Sequence, residues 1–298
     1  MIGERFTSRS RKTGPVANVR FSRPQRELVA FISTYYSVEI SGSAGSEIED
    51  FIQPEWGELR FHSGGDSNVA AREGRFATRP AAALFGPTSR VRLIHGRPGV
   101  LTAISFTPQG WAHLVRVNAA ILADKFVAAA SILSGIGTLD AALAGVSDDE
   151  ARVQLLDAYF CARSAAGPPC DPRIGVVAAA VNAAGDVKVR ELAHRVGMTT
   201  TQLTRGAQRW FGFPTKTLLR RQRFVRTLAL LHQSNGRSIG RIVDESYYDQ
   251  SHFNREFRYF MGMSPRTYFL RSRQPPMGLS TAIISNSAPG DAGGSAWH

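Results

Sequence analysis

The sequence predicts an α+β protein: an N-terminal β-rich domain with flanking helices, then a C-terminal all-α domain of two helix-turn-helix units joined by a long helix. Three observations carry this reading. Residues 23–166 alternate short apolar runs with Gly- and Pro-rich turns and become helical after Pro108. Residues 171–273 repeat themselves at a fixed offset, and almost all of the positive charge lies in that second block.

In the first block Glu58 to His62 and Val100 to Phe106 read as strands, separated by turns such as Ser63-Gly64-Gly65-Asp66 and Gly96-Arg97-Pro98-Gly99. Beyond Pro108, Trp111, Leu114 and Val115 recur at helical spacing, and Asp148 to Ala166 carries Val153, Leu156 and Phe160 on one stripe. Ala165-Ala166-Gly167-Pro168-Pro169 cannot continue a helix, so the boundary between domains falls there. The predicted organisation is a disordered basic arm (1–22), a β-rich domain (23–166), a helical domain (171–273) and a disordered tail (274–298) rich in Ser, Gly, Pro and Ala.

The helical domain opens at Asp171-Pro172, an N-cap followed by the residue best suited to the first helical position. Within it Leu203, Arg205, Gly212, Phe213 and Thr217 match Phe253, Arg255, Gly262, Met263 and Thr267, each 50 residues later. In the first copy Val189 to Val196 is a short amphipathic helix, Gly197 a tight turn, and Thr199 the cap of a second helix ending at Gly212. In the second, Ile239 to Ser246 is the short helix, Asp249 the cap, and Gln250 to Met261 the helix ending at Gly262. Between them Thr215 is expected to cap a helix from Lys216 to about Gln233, stopped by Asn235-Gly236. Charge, repeat and core pattern all lie after the Gly167-Pro168-Pro169 break, so a fragment from Asp171 is expected to bind DNA alone.

Lys and Arg number 36 against 24 Asp and Glu, a net +12, which calls for a polyanionic partner, nucleic acid or an anionic membrane. Residues 171–273 hold 18 of the cations against 7 acids, so the charge is concentrated in the repeat and nucleic acid is favoured. No apolar run reaches the ~18–20 residues of a membrane span, and no apolar stretch follows Arg9, Arg11 and Lys12 as in a signal peptide. A cytoplasmic protein without membrane contact is expected. Cys161 and Cys170 are too few for a disulfide framework or a metal site and read as reduced thiols.

Leu203-Thr204-Arg205, Gly212, the Arg-rich connecting helix, Gln250-Ser251-His252-Phe253-Asn254-Arg255-Glu256-Phe257 and Gly262-Met263-Ser264-Pro265 together resemble the DNA-binding domain of the AraC/XylS family of bacterial transcription regulators. Ala207 stands where that family usually has Phe, Ser246 where its second turn usually has Gly, and the stretch between Ile242 and Ser251 is one residue short. Helix geometry says which side chains face out. With Leu203 and Ala207 in the core, Thr201, Thr204, Arg205 and Gln208 project outward; with Phe253 and Phe257 in the core, so do Gln250, Ser251, Asn254, Arg255 and Arg258. The resemblance marks Thr201, Thr204, Arg205, Gln250, Ser251, Asn254 and Arg255 as the groove-facing, DNA-binding set. Arg suits guanine O6/N7, and Gln or Asn suits adenine N6/N7. Arg220, Arg221, Arg223 and Arg226 on the connecting helix are expected to divide between phosphate clamping and internal pairing.

Pro54-Glu55-Trp56 to His62, Gly86-Pro87 and Ile104 to Gly110 are similar to the sensor-like domains that accompany some AraC-type regulators. The resemblance implies a domain that binds an effector or pairs two subunits; the expected partners are double-stranded DNA, a small-molecule effector, RNA polymerase and a second copy of the chain, and no cofactor is expected. His62, His95 and His113 are the metal-ligand candidates, yet they share no element at ligand spacing. An enzyme reading, the alkyltransferase fused to some AraC-like helices, would need an activated cysteine. No Pro-Cys-His signature, Gly-x-Ser-x-Gly elbow or phosphate loop occurs. A nucleoid-type architectural protein would bind DNA without sequence preference and without an effector domain.

Overall fold

The computed structural model describes residues 16–43, 48–52, 54–64, 67–70, 76–78, 80–184, 187–233, 240 and 247–272. An N-terminal β-sheet region is followed by a helical C-terminal region. The strands are β1 (Val16–Ser22), β2 (Ile32–Ser41), β3 (Ile48–Ile52), β4 (Glu58–Ser63), β5 (Ser67–Ala70), β6 (Phe76–Thr78), β7 (Ala82–Phe85), β8 (Arg92–Gly96), β9 (Gly99–Phe106) and β10 (Phe126–Ala128). They form one sheet in the order β1-β2-β9-β4-β7-β10 and a second in the order β3-β8-β5-β6, with antiparallel pairing throughout.

Strand β1 differs from the disordered arm expected over 1–22. Val16 to Ser22 pairs along its whole length with β2, from Val16 opposite Ser41 to Ser22 opposite Tyr35. Val19 and Phe21, two apart, pack on the cluster of Tyr36, Val38 and Ala103, while Arg20 reaches Asp149 at 2.5 Å. This period-two pattern is short and sits inside a basic stretch, which hides it at the level of composition. Residues 1–15 and the tail 274–298 lie outside the described residues.

The six-stranded sheet is buried on both faces. Leu59 and Phe61 of β4 enter the main core with Leu84, Ile104, Phe106 and Trp111, covered by the helices that follow β9. The alternate residues Glu58 and Arg60 point to the other face and are buried as well, 2% and 4% exposed. Buried charges must be paired. Arg60 donates through Nε to Glu58 (2.7 Å) and through Nη2 to Glu55 (2.7 Å), while Tyr36 Oη and Ser105 Oγ donate to Glu58 at 2.9 and 2.6 Å. Burial and the neighbouring Glu58 carboxylate push the Glu55 carboxyl up to about 8.

Of the helices after β9, α1 (Pro108–Gly110) runs into a π-turn over Trp111–Val115; α2 (Ala119–Leu122), α3 (Ile136–Ala144) and α4 (Asp149–Ala165) follow. Asp148 caps α4 by accepting from Ala151 N, and Phe160 and Leu156 fill the sheet core. Gly110 is fixed by close approach: a Cβ there would lie 1.7 Å from the carbonyl oxygen of Phe31.

The C-terminal helices are α5 (Pro172–Ala183), α6 (Val189–Arg195), α7 (Thr200–Phe211), α8 (Thr215–Gln233), α9 (Gln250–Met261) and α10 (Pro265–Ser272). Two cores lie here, one from α5, α6, α7 and the start of α8, the other from the rest of α8, α9 and α10. Neither is confined to the residues after the Pro168-Pro169 break, as the sequence pattern suggested. Trp56, Ala112 and Ala123 pack on the first, while Phe51 is a buried member of the second, backed by Val91 and Leu93. A fragment from Asp171 would therefore expose apolar surface that the whole chain covers.

Candidate nucleic-acid interface

The first unit is built by capping and glycine chemistry. Gly197 takes φ +66° between α6 and α7, a left-handed conformation that costs Gly least. Thr199 and Gln202 then form a reciprocal capping box: Thr199 Oγ1 accepts from Gln202 N (3.2 Å) and Gln202 Oε1 from Thr199 N (2.9 Å). Helix α7 ends at Gly212, φ +85°, whose N–H returns to the Gln208 carbonyl. The second unit repeats the scheme. Asp249 Oδ1 accepts from His252 N at 2.6 Å, and α9 ends at Gly262, φ +68°, bonded to Arg258 O. The short helix expected over Ile239 to Ser246 lies, apart from Gly240, outside the described residues.

The candidate residues divide as helix geometry requires. Thr201, Arg205, Gln250, Ser251 and Arg255 are exposed, while Thr204 and Asn254 are half-buried. Leu203, Ala207 and Phe211 line the inner face of α7, and Phe253, Phe257 and Phe260 that of α9. Thr200, Thr201, Thr204 and Arg205 line an open concavity of about 370 Å³ on the outer face of α7. Neither Arg205 nor Arg255 has an ion-pair partner among the described residues. A guanidinium held out on a rigid helix with its donors unspent can grip phosphate or a base edge.

The arginines of α8 behave differently from the division expected. All four take internal partners. Arg220 donates through Nε to Glu256 (3.0 Å) and lies over the Tyr259 ring at 4.8 Å; Arg223 stands 3.7 Å from the other Glu256 oxygen. Arg226 donates to the carbonyls of Asn182 and Ala184, joining α8 to the end of α5. Arg221 is 1% exposed, its guanidinium 4.1 Å above the Trp56 ring, and burial lowers its pKa to about 10. The reason is position: Leu218, Arg221, Phe224, Leu228 and Leu231 form one buried stripe along α8. Thr215 is not the cap of this helix. It is the first helical residue, Pro214 O accepts from Thr217 and Leu218, and the Thr215 hydroxyl is buried.

Glu256 is the residue the sequence reading missed. It lies 4% exposed on α9, and its carboxylate joins the second unit to the connecting helix through Arg220 and Arg223. A signal was present: 253, 256, 257 and 260 share one helical stripe, so an acid at 256 enters a core and needs a cation.

Residues 192–271 match a family model described as "Helix-turn-helix domain". The C-terminal module is a helix-turn-helix domain. Among solved structures the chain is similar to ToxT from Vibrio cholerae, at 10% identity and TM-score 0.47 over 87% of this chain and 98% of that one. A ToxT structure with a bound unsaturated fatty acid gives 9% identity and TM-score 0.43, covering 88% and 97%. The AraC-like transcriptional activator CuxR gives 16% identity and TM-score 0.28, covering 71% and 86%. No curated protein matches the sequence.

Proposed function

We propose that this chain is a sequence-specific DNA-binding transcription regulator of AraC type, which lays α7 and α9 in successive major grooves and answers to a small-molecule effector held by its N-terminal part. The observation that carries this is the pair of capped helices, each closed by a left-handed glycine and each presenting at equivalent positions an arginine, Arg205 and Arg255, with no ion-pair partner among the described residues. Thr201, Thr204 and Arg205 read one half-site; Gln250, Ser251, Asn254 and Arg255 read the other. Helix α8 has 19 residues and is about 28 Å long at 1.5 Å per residue, close to the roughly 34 Å of one turn of B-DNA once the breadth of the flanking units is added. The two sets differ in sequence, so the two half-sites differ and one chain reads one asymmetric site.

The effector rests on the likeness of Pro54 to His62, Gly86-Pro87 and Ile104 to Gly110 to sensor-like domains. Contacts with RNA polymerase and with a second copy, and a place in the cytoplasm, belong to the same reading. Among the described residues no helix is long and apolar enough to cross a membrane.

Competition tests the reading. A duplex enriched by the full chain from a random pool is expected to hold its place against scrambled DNA by about 10³-fold or more, with log K falling linearly in log salt. Equal displacement by any sequence would make the protein an architectural binder instead.

A further inference from the structure

One short stretch of the N-terminal part, Gly86 to Val91, meets both helix-turn-helix units near the C-terminal ends of α7 and α9. On the first unit, a Cβ at Gly212 would lie 3.3 Å from Pro87 Cγ and from the Ala119 carbonyl, so that helix end lies close against Pro87 and the neighbouring α2. On the second, Val91 N donates to Phe260 O at 2.8 Å, and the Arg90 guanidinium lies 4.0 Å over the Tyr259 ring. The 50-residue offset sets Gly212 against Gly262, and the second contact falls two to three residues before that glycine, in the last turn of α9. The segment thus touches the C-terminal ends of both recognition helices.

The stretch is itself held firmly. Asp124 Oδ1 and Oδ2 accept from Ser89 N and Oγ, both at 2.7 Å, and Asp124 N donates to Pro87 O at 2.8 Å. Thr88 N donates to Glu55 O at 3.0 Å and its Oγ1 accepts from Glu55 N at 2.8 Å. Next to Glu55, Trp56 carries Arg221 of α8 on its ring and packs on Phe211 at 5.6 Å between centroids. Pro87 and Val91 are four residues apart, a reach of at most about 14 Å even when extended.

We infer that Pro87 to Val91 is a spacer: it sets the separation and phase of the two recognition helices, so the N-terminal part determines which half-site spacing the chain accepts. This rests on the two-groove reading above. Helix α8 joins the units at one side and the spacer ties their ends at another, so the pair turns and slides as one body. One inserted base pair moves a half-site by about 3.4 Å and about 34° around the axis, more than a rigid pair can follow.

The test uses the full chain and the duplex it selects from a random pool, together with versions lengthened or shortened by one base pair between half-sites. Wild type is expected to lose roughly 30-fold or more in affinity on either change, the size of a mismatched contact or two. Asp124→Ala, Arg90→Ala and Val91→Pro, which loosen the segment or remove its bond to Phe260, are expected to narrow that loss to about threefold. Base preference within each half-site should stay as in wild type. Arg90→Ala touches only a surface stacking contact and serves where Val91→Pro fails to fold. Wild type that tolerates the insertion, or folded variants with the wild-type spacing profile, would overturn the spacer while two protected grooves keep the two-groove reading. Protection of a single groove in wild type overturns both.

Discussion

Glu256→Ala is expected to lower folding stability by about 3 kcal/mol, the lower end of the range for removing one partner of a buried ion pair. Glu256 is 4% exposed, so its loss removes the carboxylate that faces Arg220 and Arg223 beside an apolar core that includes Phe257 and Phe260. Arg220 keeps 35% of its side-chain surface exposed and can rehydrate in part, which holds the cost to that lower end. In urea unfolding the midpoint should fall with little change in slope, and Glu256→Gln, which retains an acceptor, should lie between. A loss under about 1 kcal/mol would place the pair with ordinary surface ion pairs and remove its role in tying α9 to α8.

Arg205→Ala and Arg255→Ala are each expected to weaken binding of the selected duplex by about 1–3 kcal/mol, five- to 150-fold. Each should relax preference at one position of its own half-site and leave the other half-site as before. The two losses should add, since the residues stand on separate helices with no shared partner. Neither substitution should alter folding stability by more than about 0.5 kcal/mol, because both side chains are exposed and have no ion-pair partner among the described residues. Weakening by the same factor on every sequence would make them phosphate contacts.

What could be read from the sequence follows the range of the interactions involved. Caps, left-handed glycines and helix stripes are decided within four residues, and Thr199, Asp249, Gly212 and Gly262 stand where their local patterns put them. The fold class and the outward faces of α7 and α9 came from the same short-range periodicity. The partners of Arg221 and Glu256 did not. Their stripes mark both as buried, yet Trp56 lies 165 positions from Arg221 and Arg220 lies 36 from Glu256, distances over which one sequence carries no pattern. The sharing of both helical cores with Phe51, Trp56 and Val91 was hidden for the same reason. A boundary drawn at Gly167-Pro168-Pro169 describes the chain path and not the packing.

The most direct measurement is a hydroxyl-radical footprint of the full chain on its selected duplex. One chain reading two successive major grooves predicts two protected patches about 10 bp apart on the same face, with unlike sequences beneath them, at a stoichiometry of one chain per site. A single protected groove, or two patches of identical inverted sequence occupied by two chains, would contradict it.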